Sequence, residues 1–151
     1  MKLKTPKPYR QGQLDDFCGL YSIVNAMRYL GLLYSNKHGY KLMMQLCELL
    51  ETDCNLQERL NEGTDSSEIT RLFREVIEPQ YRVKRLKPFH RITLKTTMAD
   101  YVAKLDAFLR SKNGVVFVGV AGYHDHWSLI SRVTAKSFIF YDSDGLRQLA
   151  C

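Results

Sequence analysis

The chain has 151 residues, 45% of them apolar and 25% charged, with a formal net charge of +6. That length buries a core without disulfide staples, and the composition is that of an ordinary soluble globular protein. No apolar run reaches the ~18 residues that cross a bilayer, which excludes a membrane span. Met1-Lys2-Leu3-Lys4 leads into Thr5-Pro6-Lys7-Pro8 and not into the apolar stretch of a signal peptide.

One domain over residues 1–151 is expected, with residues 1–10 as an extended basic arm carrying Lys2, Lys4, Lys7 and Arg10. From Leu20 the apolar residues Ile23, Val24, Met27 and Leu30 follow the i, i+3, i+4, i+7 rhythm of one helix face. This helix starts at Cys18 and stops at Gly31. Leu32 to Gly39 reads as a loop. A second helix is expected from Tyr40 to Glu51, with Leu42, Met43, Leu46, Leu49 and Leu50 inward and both Met43 and Met44 filling the core. Asp53 to Gly63 is polar, with a short helical turn around Leu56 and Leu60.

Asp65 and Glu68 form a capping-box pattern ahead of a helix that turns Ile69, Leu72, Phe73 and Val76 inward and ends before Pro79. Residues 81–87 and 91–94 are the next strand candidates. Thr96 or Thr97 caps a fourth helix, with Met98, Tyr101, Val102, Leu105, Phe108 and Leu109 inward, which Asn113-Gly114 closes. Val115 to Val120 is a continuous apolar run, as in a strand buried on both faces. His126–Val133 and Ser137–Asp142 flank a turn at Thr134-Ala135-Lys136 and read as an antiparallel hairpin. Helices come first and a sheet after them, so the expected class is α+β.

The cysteines Cys18, Cys47, Cys54 and Cys151 are scattered, and no pair of them has zinc-ligand spacing. The reading is a thiol protein with no metal and no cofactor. Tyr81 to Arg91 is rich in cations. It is a solvated strand and loop, or a docking surface for an acidic partner over Arg82–Arg91. No nucleic-acid motif accompanies the charge, so no nucleic-acid partner is expected.

Cys18 stands where a polar loop, Gln11 to Phe17, turns into a helix. Free N–H groups and the positive end of the helix dipole gather there, a setting that suits a nucleophilic cysteine. Such a nucleophile needs a base, a group to orient the base and donors for the oxyanion. His126 opens one strand of the hairpin and Asp142 ends the other, so a short turn makes them neighbours. Asp144, in the same Asp142-Ser143-Asp144-Gly145 turn, is the alternative to Asp142. Gln11 or Gln13 can join the Cys18 N–H as an oxyanion donor. Tyr21, Tyr123 and Trp127 are candidates to line a substrate groove, although packing against the hairpin is the commoner role for Trp127.

The pieces Gln11-Gly12-Gln13-Leu14-Asp15-Asp16-Phe17-Cys18-Gly19, His126-Trp127-Ser128-Leu129-Ile130 and Phe140-Tyr141-Asp142-Ser143-Asp144-Gly145 carry a resemblance. With them the chain resembles the papain-like cysteine peptidase superfamily, most of all small bacterial members such as bacteriocin-leader-processing peptidases and papain-like effector toxins. The resemblance implies a Cys at the head of a central helix packed on a C-terminal antiparallel sheet. It implies Cys18 as nucleophile, His126 as general base and then acid, Asp142 as orienter and Gln11 as oxyanion donor. Gln11 and Gln13 straddle the family's usual glutamine position, and the Gln11-Gly12 pair favours Gln11.

The expected function is hydrolysis of a peptide or isopeptide bond in a protein or peptide substrate, through an acyl-enzyme. Glutamine deamidation, transglutamination or acyl transfer by an effector is the alternative, and a non-catalytic protein-binding module on the same fold is the second. The cytoplasm, or delivery as an effector into another cell, is the expected location.

Overall fold

A computed structural model describes residues 5–12, 15–52, 56–86, 96–112, 114–122 and 125–151. Helix α1 (Cys18–Tyr29) buries Leu20, Ile23, Val24 and Met27, the face that the apolar spacing indicates. Its neighbouring face is buried as well, yet polar: Cys18, Ser22 and Asn25 recur at i, i+4 and i+7. Buried polar groups need partners, and each of these finds one outside the helix. Ser22 Oγ donates to the Trp127 carbonyl at 2.9 Å. Asn25 pairs with the backbone of Tyr9 in both directions, at 2.7 and 3.0 Å.

The arm is therefore strapped down. Arg28 adds a bond to the Lys7 carbonyl and stacks over the Tyr9 ring at 4.2 Å, while the Tyr141 hydroxyl donates to the Pro6 carbonyl. The Gln11 N–H reaches the Ser143 carbonyl at 3.0 Å, which brings residue 11 to the end of the hairpin.

Helix α2 (Asn36–Glu51) begins four residues before the expected Tyr40, because Ser35 caps it by accepting from the His38 N–H. Leu42, Leu46 and Leu50 are its buried face; Met44 is 41% exposed and does not fill the core. Helix α3 (Leu56–Glu62) is the short turn expected around Leu56 and Leu60. Helix α4 (Ser66–Leu72) opens with the complete Asp65–Glu68 capping box.

Contrary to expectation, this helix does not end before Pro79. It widens into a π-turn over Phe73–Ile77 and continues as helix α5 (Glu78–Tyr81). Pro79 lies in the first turn of α5, where its missing N–H is tolerated, and the wide turn absorbs the shift in bonding. Arg82 then takes a left-handed conformation, and residues 82–86 are irregular, not a strand. The strand candidate at 91–94 lies outside the described residues.

Helix α6 (Met98–Lys112) is capped by Thr97, whose hydroxyl accepts from the Asp100 N–H. Met98, in the first turn, is 58% exposed and not inward as expected.

The four-stranded antiparallel sheet has the order β1 (Val116–Val120), β2 (His126–Val133), β3 (Ser137–Phe140), β4 (Gln148–Ala150). One face carries Val115, Phe117, Trp127, Leu129 and Tyr141 against the core that includes α1; the other carries Val116, Val118, Ile130, Phe138 and Phe140 with Tyr101, Val102, Leu105 and Leu109 of α6. This explains the unbroken apolar run in β1: both its faces meet apolar layers. The strand is nonetheless only half-buried, being an edge of the sheet among the described residues. Strand β4 was not expected; its Leu149 pairs with Phe138.

The hairpin carries one irregularity. Ile130 pairs with Phe140 but Arg132 pairs with Ile139, so Ser131 is an extra residue in β2.

Candidate active site

Cys18 is the first residue of α1, 8% exposed, with no side-chain cap at Phe17 to occupy the helix end. Its packing depends on the next residue. A Cβ on Gly19 would stand 2.1 Å from Thr64 Oγ1 and 2.7 Å from Ile69 Cδ1, so only glycine lets the Gly63-Thr64 loop lie against the helix start. The Trp127 N–H points at Cys18 Sγ over 3.4 Å. With the Ser22 bond to the Trp127 carbonyl, α1 is fastened to β2 beside His126.

His126 Nε2 lies 2.7 Å from Asp142 Oδ2. The register explains the meeting. Continuing the Ile130–Phe140 pairing outward sets Ser128 opposite Asp142 and makes His126 its diagonal neighbour, all on one face of the sheet. Without the extra Ser131, the Arg132–Ile139 register would run on, placing Asp142 opposite Leu129 and turning it to the other face. The bulge is what aims the carboxylate at the imidazole.

Asp142 is 6% exposed and fully satisfied. Oδ2 also accepts from Ser128 Oγ at 2.6 Å, and Oδ1 accepts the backbone N–H groups of Asp144 and Leu146 at 2.8 and 2.9 Å. Burial works against its charge, but the bonds from His126 and Ser128 outweigh it and hold the carboxyl down at about 2. The bond to Asp142, with a second from Cys18, pushes His126 up from 6.5 to about 10 despite the cost of burial. That shift favours the protonated ring at neutral pH, with Nε2 engaged by Asp142 and Nδ1 left as the other ring nitrogen.

Asp144 is the alternative that the geometry does not place at the ring by hydrogen bond: its side chain is exposed and it serves Asp142 through its backbone. Gln11 lines the same cleft as Cys18 and His126; its Nε2 donates to the Asp15 carbonyl, while its buried Oε1 has no partner among the described residues. Gln13 and Tyr123 lie outside the described residues.

The cleft itself holds about 650 Å³, and Trp127 forms part of its wall. That ring is held by a 2.7 Å bond from Nε1 to the Thr64 carbonyl and by contact with Phe117, so it packs and lines at once. Tyr21 is not among the cleft residues; it stands near Asp15 and Cys47. Of the basic stretch, Arg82, Lys84 and Arg85 are exposed, and residues 87–91 lie outside the described residues.

Ser128 and Ser22 escaped the sequence reading. Ser128 had a signal, being two residues from His126 on a strand and so on its face. Ser22 had one too, four residues from Cys18 on a helix. Among the described residues no three His, Cys, Asp or Glu side chains converge as a metal site, and no helix is long and apolar enough to cross a membrane. Comparison with known proteins adds no assignment: no family model, curated protein or solved structure matches the chain.

Proposed function

We propose that this chain is a papain-like cysteine hydrolase that cleaves a peptide or isopeptide bond. The observation that carries the reading is His126, hydrogen-bonded to a buried and fully satisfied Asp142, in the cleft that Cys18 lines from the start of α1. An imidazolium held beside a cysteine at a helix start is the pairing a thiol nucleophile needs.

The thiolate of Cys18 attacks the substrate carbonyl carbon, forming a C–S bond and pushing the carbonyl electron pair onto oxygen. The Cys18 N–H and the Gln11 amide N–H not given to Asp15 are the donors for that oxyanion. As the intermediate collapses, the C–N bond breaks and His126 gives its Nδ1 proton to the departing nitrogen. Water then attacks the thioester and yields a proton to His126. The C–S bond breaks, the carboxylic acid leaves and the ion pair is restored.

Asp142 keeps the ring in the orientation that presents Nδ1 to sulfur throughout. The same apparatus serves glutamine deamidation, in which the leaving group is ammonia, and acyl transfer, in which an amine replaces water.

Alkylation with iodoacetamide tests the ion pair, with Cys151 of the same molecule as the exposed reference thiol. At pH ~6 Cys18 should react at least about tenfold faster than Cys151, and His126→Ala should abolish that advantage. Equal rates at the two cysteines in the unsubstituted protein would end the catalytic reading.

A further inference from the structure

The cleft around Cys18 has the opposite sign to the rest of the chain. The molecule carries a net charge of +6, yet the cleft wall holds Asp16, Glu62, Asp125 and Asp144 and, among the described residues, no lysine or arginine. All four carboxylates are exposed at the rim. Glu62 shares Arg59 over 3.6 Å, whereas Asp16, Asp125 and Asp144 have no ion-pair partner among the described residues.

Carboxylates around a concave, low-dielectric wall focus a negative potential into it and raise the local concentration of cations. The opposing charges are the His126 imidazolium in the cleft itself and Arg59 on Glu62, fewer than the four carboxylates; Arg147 lines a second hollow of about 330 Å³ with His126, Asp144 and Gly145.

The wall also holds unsatisfied polar atoms. Among the described residues Thr64, 7% exposed and part of the cleft wall, has no partner for its hydroxyl, and the Gln11 Oε1 acceptor has no donor. A buried carbonyl oxygen without a donor is costly, and a ligand rich in N–H groups relieves it. Among the described residues β1 has no neighbour on its outer side, and its last residues, Gly119 and Val120, line the cleft, so that edge offers main-chain groups to an extended polypeptide.

We infer that the cleft selects polypeptides bearing lysine or arginine beside the bond presented to Cys18. This rests on the reading of Cys18 as the nucleophile. The acidic rim draws the substrate in and disfavours acidic segments, while the net charge of +6 on the whole molecule opposes general attraction of a cationic chain. The choice is made at the cleft and not by general stickiness.

Two matched thiol reagents read the potential at the sulfur directly: the trimethylammonium-ethyl and the sulfonatoethyl methanethiosulfonates. Their rate ratio at Cys18, divided by the same ratio at Cys151, should be about tenfold or more in favour of the cation at low salt. It should fall in high salt and in an Asp16→Asn, Asp125→Asn, Asp144→Asn triple variant. As a second arm, polylysine should shield Cys18 from iodoacetamide and polyglutamate of equal length should not.

A normalised ratio near one, or shielding by both polymers alike, overturns the inference. A His126-dependent fast reaction with a flat charge ratio would sink the acidic-cleft reading alone. A strong charge ratio with no His126 dependence would sink the catalytic reading alone.

Discussion

The His126–Asp142 pair sets a pH window for stability, and its size follows from the shifts. A histidine raised from 6.5 to about 10 corresponds, at about 1.4 kcal/mol per pH unit, to about 5 kcal/mol; Asp142, lowered from 3.8 to about 2, corresponds to about 2 kcal/mol. Both figures describe one interaction. Each is net of burial and each includes neighbours beyond the pair, Ser128 for the carboxylate and Cys18 for the imidazole, so together they put the pair at a few kcal/mol.

The signs are opposite. The histidine's share is complete below its unfolded value of ~6.5 and is lost as pH climbs through about 10; the aspartate's is complete above ~3.8 and is lost as pH falls through about 2. Stabilisation by the pair is therefore whole between pH ~4 and ~6.5. Urea unfolding of the unsubstituted protein and of His126→Gln, across a pH series, reads the difference without the other titrating groups. The gap should be about 2–5 kcal/mol near pH 6 and should narrow by up to about 1.4 kcal/mol for each pH unit above ~6.5. A gap of equal size at pH 6 and pH 9 refutes the reasoning, because it would mean that the ring is neutral in both states or that its charge is worth nothing.

Further expectations concern the supports of this pair. Ser128→Ala removes a buried 2.6 Å bond to a charged acceptor, a loss of about 1.5–3 kcal/mol. At roughly 2–4 °C for each kcal/mol the melting temperature drops measurably, and the acid limb of the stability curve moves to higher pH as the Asp142 carboxyl rises toward its ordinary range. A melting temperature unchanged within a degree would remove Ser128 from the account. Gly19→Ala sets two effects against each other. Alanine favours helix by about 1 kcal/mol, but a Cβ 2.1 Å from Thr64 Oγ1 forces the Gly63-Thr64 loop away at about 1–3 kcal/mol. Net destabilisation in urea is the expected result, and a gain in stability would show that the loop yields freely.

The helical half of the fold was legible wherever a local rule governs it: the apolar stripe of α1, the Asp65–Glu68 box and the Gly31 stop all depend on residues within one or two turns. So were Cys18, His126 and Asp142, because the ends of a helix and of a hairpin are readable from periodicity and turn residues. What escaped depends on contacts far along the chain. Nothing near Ser131 announces that it will be an extra residue, yet it decides which face Asp142 takes. Pro79 reads as a stop, and the π-turn that accommodates it comes from how Phe73 to Ile77 pack. Strand β4 has too few residues to show an alternation, and exists because β3 offers it an edge. The strap of residues 5–12 hides in Asn25, a polar residue whose fully buried state no pattern near it foretells.

The bonds of α1 also impose an order in time. Trp127 and Cys18 are 109 residues apart, Ser22 and Trp127 are 105 apart, and the link from Tyr141 to Pro6 spans 135. A chain emerging from the ribosome displays its cysteine long before the imidazole and carboxylate that would arm it. Until the last hairpin closes, Ser22 lacks its sheet carbonyl and Cys18 lacks its neighbours on β2. Closing such distant contacts is also the slow part of folding. Under the catalytic reading, reactivity arrives together with completion of the fold, and a half-made chain has nothing with which to cut itself or its neighbours.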